Sequence, residues 1–455
     1  MVSLATDAAL GLTNLDDEVI VDELHLEGEL PAWLGGSLLR TGPARWDLGE
    51  QTVNHWFDGL AMLHRFTIAD GAVSYANRFL RSKAFEGAAG GRVAYGEFAT
   101  DPCRSAFQRV ASLFEPGFTD NANVNVARIM GKWVALTETP LAVSFDPDTL
   151  ETLGVEKIPA DTGGLAHPHG DGEKALSMGV HLMGRPAYRL IEDDRVVAKL
   201  AVRRPAYVHS FGMTERFAVL AEHPYTVNPL KLGFGNRPFI ENFRWQPGDG
   251  TRFVVFDRHT GEHVGDWNAD PFFVFHHVNA FEDGGDIVLD LCAYADSAIV
   301  PALGLQRLRA GEPIPKAHLE RFTLRPGGGV ERRRLSGEPF ELPRIDYGRV
   351  NGRPYRYAWG SGARAEFFDT IVKVDVTTGE TLTWGEGYPG EPVFVGRPGR
   401  SEEDDGVLLT VVLEPERGAS SMVVLDAATL TELARARVPH HVPFGFHGQF
   451  ARTPG

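Results

Sequence analysis

The chain has 455 residues, of which 43% are hydrophobic and 10% aromatic, ample material for a large soluble core. Lys and Arg number 45 against 61 Asp and Glu, a net charge of −16, which argues against nucleic acid, because phosphates demand clustered positive charge. Two cysteines, Cys103 and Cys292, make no disulfide framework, and a reducing cytoplasm is the expected location.

The first residues, MVSLATDAALGLTNLDDEV, lack a basic start followed by an apolar run, so no secretory signal is expected. No stretch approaches the roughly 20 apolar residues needed to cross a bilayer. FTIADGAVSY at 66–75 is the first hairpin signal: two apolar strands around an Asp-Gly turn. CRSAFQRVASLFEPGF at 103–118 departs from this style. Phe107, Val110, Ala111, Phe114 and Phe118 fall at helical spacing, with Arg104 and Arg109 nearby, so an amphipathic helix is predicted. Such a helix either packs on the rest of the molecule or dips into a membrane surface.

Further hairpins follow at 142–154 (AVSFDPDTLETLG), 254–265 (VVFDRHTGEHVG), 322–333 (FTLRPGGGVERR), 372–384 (VKVDVTTGETLTW) and 423–435 (VVLDAATLTELAR). In most of them an Asp supplies local hydrogen bonds, and glycine is the residue expected where the turn needs positive φ. Asp375 and Asp426 lie one blade apart on the roughly 40–50-residue period of a four-stranded propeller. The chain therefore reads as all-β. A propeller accounts best for the repeated hairpins, and two packed sandwiches are the alternative.

Four histidine segments stand among glycines, prolines and aromatics: GLAHPHGDGE at 164–173, YVHSFGMTERF at 207–217, FFVFHHVNAFED at 272–283 and VPFGFHGQF at 442–450. In a propeller the inner strands converge on one axis, so histidines distant in sequence can meet at a metal. A pure imidazole shell is compatible with Zn, Cu, Fe or Ni, and each such histidine is expected to lean on a carboxylate. Glu138, Glu341 and Glu391 sit in apolar or proline-rich surroundings, where a charge without a partner is costly. His276 and His277 are neighbours on one predicted strand, so only one of them can face a given site.

Across nearly its whole length the chain resembles the carotenoid cleavage oxygenases, a family that includes carotene-cleaving dioxygenases and the retinal-pigment-epithelium retinoid isomerase. The blocks that carry the likeness are LPAWLGGSLLRTGP, HWFDGLAMLHRF, TDPCRSAF, TDNANVNV and ALTETPLAVSFDPDTLETLG, then the four histidine segments. FELPRIDYGRVNGRPYRYAWG, YPGEPVFVGRPG, EEDDGVLLTVV and PFGFHG complete the set. The resemblance implies a single seven-bladed β-propeller over residues 1–455, with short helices and loops forming a dome over the metal face. It also implies non-haem Fe(II) and O₂-dependent cleavage of a C=C bond in a carotenoid or apocarotenoid. A stilbene-cleaving oxygenase and a non-oxidative retinoid isomerase on the same iron are the alternatives.

Carried onto this sequence, the likeness makes His167, His209, His276 and His447 the iron ligands. Glu138, Glu341 and Glu391 are to support His209, His276 and His447 respectively, leaving His167 without a carboxylate. His55, His64, His169 and His277 are then not ligands. Thr137 and Tyr294 are expected along the substrate tunnel and Val124 beside a vacant iron position. Stilbene-cleaving members tend to carry Lys where Thr137 stands, which favours a carotenoid-type substrate. The TDPCRSAF block matches the animal-type branch, where this segment forms part of an apolar membrane-binding patch, so peripheral membrane attachment through 103–118 is expected.

Overall fold

Four of the predicted turns share one geometry. In each, an aspartate (Asp146, Asp257, Asp375 or Asp426) accepts on Oδ1 the backbone N–H groups two and three residues further on. Its own carbonyl accepts from the fourth residue on, and its own N–H donates to the fifth, so the loop is closed from both sides. That fourth residue has positive φ: 75° at Gly261 and 81° at Gly379, but 59° at both Leu150 and Leu430. The two leucines depart from the expected glycine. They carry a left-handed cost of roughly 1–2 kcal/mol, which burial of their side chains, at 1% and 4% exposure, offsets.

The computed structural model describes residues 7–102, 118–157, 163–170, 174–182, 184–229, 232, 237–365 and 367–452. The predicted amphipathic helix at 103–118 lies outside the described residues, apart from Phe118. The described strands form seven antiparallel sheets of four to six strands, the blades of a β-propeller, with a separate ribbon pairing Tyr225–Val227 with Phe243–Trp245. This removes the sandwich alternative. Described α-helices are short, such as Lys83–Gly87 and Leu305–Arg309.

The ring is closed by both ends of the chain. Gly448–Arg452 pairs with Gly36–Arg45 as the inner strand of the first blade. Near the other end, Ile20–Val21 adds to Ala72–Phe79, and His25–Gly28 adds to Glu432–Arg437 in the last blade. Middle strands such as Thr370–Asp375 are buried throughout, as expected for a sheet covered on both faces. Apolar side chains fill the gaps between neighbouring blades: Tyr188 and Leu190 pack with Leu220, Val254 and Phe256, and Phe253 packs with Leu289 and Phe322.

Candidate metal centre

The inner strands bring the four histidine segments together. His167 lies between Gly163–Gly164 and His169–Gly170, His209 precedes Gly212–Met213, His276 is within Phe273–Asp283, and His447 precedes Gly448–Arg452. The adjoining glycines have a steric reason. A Cβ on Gly212 would stand 3.0 Å from the Leu289 side chain of the next blade, and one on Gly448 would stand 2.5 Å from Cγ of Arg40. Glycine at both places lets the inner strands approach closely enough for the imidazoles to meet.

Their Nε2 atoms face one another. His167 is 3.0 Å from His209, His209 is 3.1 Å from His276, and His276 is 3.0 Å from His447. All four potential donor atoms lie within 4.8 Å of one another. The Nδ1–H of His209 donates to Glu138, that of His276 to Glu341 at 2.5 Å, and that of His447 to Glu391 at 2.7 Å. A carboxylate can only accept, so each of these rings holds its proton on Nδ1 and presents a lone pair at Nε2. Among the described residues no carboxylate bonds to His167.

Three converging lone pairs repel one another unless a cation lies between them, which is the fit test for a metal. Two donors about 2.1 Å from one ion are about 3.0 Å apart at right angles and about 3.4 Å apart in a tetrahedron. The observed spacings of 3.0–3.1 Å are those of donors that could share one ion. Three carboxylates against the guanidiniums of Arg344 and Arg40 leave the surroundings of the cluster net negative, a setting that suits a cation.

Burial disfavours the charged form of His167, His209 and His447. It holds His167 well below the ordinary histidine range, lowers His209 against the opposing pull of Glu138, and brings His447 down to about 4. Burial alone would raise Glu391, which is 0% exposed, but Arg344 and His447 hold it well below the usual carboxylate range. Arg344 donates Nε–H and Nη2–H to the two Glu391 oxygens at 2.9 Å each, and the Gly448 N–H donates to the same carboxylate at 2.9 Å. Tyr207 donates its hydroxyl to Glu138 at 2.8 Å. The sequence reading missed Arg344 and Tyr207; an arginine set among apolar residues in FELPRI was the available signal for the first.

His277 turns away from the cluster. Its Nδ1 lies 2.9 Å from the Ser210 hydroxyl, and burial pushes its pKa down to about 3. His169 bonds to Tyr347 and the Phe211 carbonyl, His55 to the Val300 carbonyl, and His64 to Tyr75. These four are occupied in packing.

A cavity of about 800 Å³ reaches the cluster, with His209, His276 and His447 in its wall. Thr137, Val124 and Tyr294 also line it, as do Phe57, Phe275 and Phe446. Val124 stands against the cluster, its carbonyl accepting the His447 N–H at 3.2 Å. The volume lies within the roughly 300–1,000 Å³ of small-molecule sites.

A seven-bladed propeller with an imidazole cluster on its axis and an apolar cavity above it defines a metal-dependent enzyme architecture. The family model described as retinal pigment epithelial membrane protein matches residues 12–452. A mitochondrial carotenoid-cleaving dioxygenase of Macaca fascicularis is 36% identical over 93% of this chain and 90% of its own length. A carotenoid isomerooxygenase of Galleria mellonella is 36% identical over 98% of this chain and 96% of its own length. The crystal structure of cobalt-substituted Synechocystis apocarotenoid oxygenase matches with a TM-score of 0.87 and 27% identity, over 98% of both chains. This chain belongs to the same family, the carotenoid cleavage oxygenases, and is an enzyme.

Proposed function

We propose that the chain is a non-haem Fe(II) dioxygenase that cleaves a C=C bond of a carotenoid or apocarotenoid with O₂, giving aldehyde or ketone products. The observation that carries this reading is the set of three lone pairs, each fixed by a carboxylate, converging with His167 at the wall of an apolar cavity. The carotenoid-cleaving relatives support the substrate class, and Thr137 in the cavity wall supports it over a stilbene. His167, His209, His276 and His447 would hold the iron, which when bound supplies the redox access to O₂ that a closed-shell alkene lacks.

The protein's own residues do the rest. Glu138, Glu341 and Glu391 fix the rings and keep Nε2 free of protons. The aromatic walls hold a polyene and exclude water, so proximity rather than acid–base chemistry is the contribution. The σ and π bonds of the C=C and the O–O bond of O₂ break, each carbon gains one oxygen atom as a C=O, and no outside reductant is consumed.

A polyene of this kind partitions into bilayers, and the same reading attaches the enzyme peripherally to a membrane in the cytoplasm through 103–118. Phe118, which closes that segment, lines the cavity and is 47% exposed, in support of an entrance there. Among the described residues no helix is long and apolar enough to cross a membrane. The test is anaerobic loading with Fe(II), then incubation under ¹⁸O₂ with carotenoids, apocarotenoids and stilbenes, reading product masses. Labelled shortened carbonyls from a polyene are the expected result. Cleavage of stilbenes alone would overturn the substrate, and unlabelled isomers would overturn the oxidative reaction.

A further inference from the structure

The cavity wall contains an acid that the metal centre does not use. Glu97 lines the cavity beside Phe98 and Phe118 and is 6% exposed. It opens a short loop closed by its own N–H on the Thr100 carbonyl at 2.8 Å. Asp58 anchors that loop, accepting the Ala99 N–H at 3.0 Å and the Thr100 hydroxyl at 2.6 Å. Thr119 donates its hydroxyl to Oε1 of Glu97 at 2.8 Å. The charges that act on Glu97 are like charges, Asp58 and Asp120, while Thr119 and Asn121 hydrogen-bond to it and pull partly the other way.

An ionised carboxylate in an apolar wall with two carboxylates nearby is doubly disfavoured. Burial first, and Asp58 next, push Glu97 up to about 8, and Asp58 itself rises to about 6 through burial. Near neutral pH Glu97 therefore carries an O–H. Thr119 donates to Oε1, so the acid proton falls to Oε2, and Glu97 brings a hydrogen-bond donor to the wall of a cavity built for a ligand. A hydrocarbon polyene has no acceptor for it, whereas a polyene ending in an aldehyde, ketone or hydroxyl has one.

We propose that Glu97 is a specificity-determining residue that donates a hydrogen bond from its carboxylic acid to an oxygen at the end of the substrate. The substrate class is then an oxygenated polyene, an apocarotenoid or a hydroxylated carotenoid, in preference to a hydrocarbon carotene. This rests on the proposed oxygenase reading and narrows it.

The test compares wild type, Glu97→Gln and Glu97→Leu on one hydrocarbon carotene and one apocarotenoid aldehyde, using the ratio of their kcat/KM values. The expected result is a fall of about tenfold in the ratio for Glu97→Leu, the weight of one buried hydrogen bond. Glu97→Gln, which retains an N–H donor, should keep most of the ratio. In wild type the preference should decline as pH rises through 8, while in Glu97→Gln it should stay level. The pH arm needs no variant to fold. A ratio equal in all three proteins and flat with pH overturns the assignment while leaving the oxygenase reading intact. Should wild type cleave neither polyene, the polyene-cleaving reading fails. The same ratio taken from dissociation constants, read by quenching of tryptophan fluorescence, then decides the role of Glu97 separately.

Discussion

Replacing Glu391 by glutamine separates two duties that one carboxylate performs. Glu391 holds His447 in its metal-binding tautomer and also neutralises Arg344, whose side chain is only 18% exposed. Glutamine keeps an acceptor for the His447 Nδ1–H but leaves the guanidinium without its opposite charge. Breaking a buried ion pair from one side costs about 3–5 kcal/mol, and the retained acceptor puts this case near about 3 kcal/mol. Unfolding entropy of about 2.1 cal/mol/K per residue over 455 residues is about 1 kcal/mol/K, so Tm should fall by about 3 °C. Glu138→Gln is the control: Glu138 receives Tyr207 and His209 but no guanidinium, and its loss should stay near about 1 °C. Both variants should bind metal about 10–100-fold more weakly. Calorimetry on metal-free protein and an anaerobic Fe(II) titration read the two effects independently. A metal-free Glu391→Gln protein that melts with wild type, or a Glu138→Gln protein destabilised just as much, would refute the assignment of Arg344 as the added burden.

His276→Ala should abolish iron binding, whereas His277→Ala should retain iron and lose about 1–3 kcal/mol from its buried contact with Ser210; iron analysis beside urea denaturation checks both, and iron loss in the second variant alone would reverse the choice. Acid should destabilise the fold through His55 and His223, whose folded values of about 4 and about 3 lie below the usual 6.5 because both are buried. The unfolded chain takes up these protons first, so stability falls as pH drops below 6.5, by about 2 kcal/mol per group at pH 5. His223→Gln should remove its share of the difference between urea curves at pH 7 and pH 5, and an unchanged difference would contradict the cause. Leu430→Gly should destabilise by about 2 kcal/mol although it relieves a left-handed φ, because the buried side chain outweighs the strain. A more stable glycine variant would show that strain dominates.

The turns were legible because an aspartate that caps its own loop acts within six residues, and the sequence displays all of them. Leu150 and Leu430 were not legible at the same turns, since what tolerates their backbone is burial against distant strands. The choice between His276 and His277 came from resemblance. Strict alternation is in fact interrupted there by register shifts between Val274 and His277 and between His277 and Asn279. Arg344 stands near Glu341 in sequence yet clamps Glu391 from the next blade, a contact that only the ring creates. Glu97 was not singled out in the sequence, because its burial and its nearness to Asp58, from a separate segment, arise only in the fold.

The closure of the ring bears on how the protein is made. The strand that follows His447 pairs with one from near the opposite end of the chain, so the fourth imidazole joins the others only when a very long-range pairing has formed. Contacts of that separation are late and slow in folding. Capture of a metal by all four imidazoles would therefore report a finished propeller. An ion held there would also tie four blades to one another radially, a clasp across a circle that strand pairing fastens only along its rim.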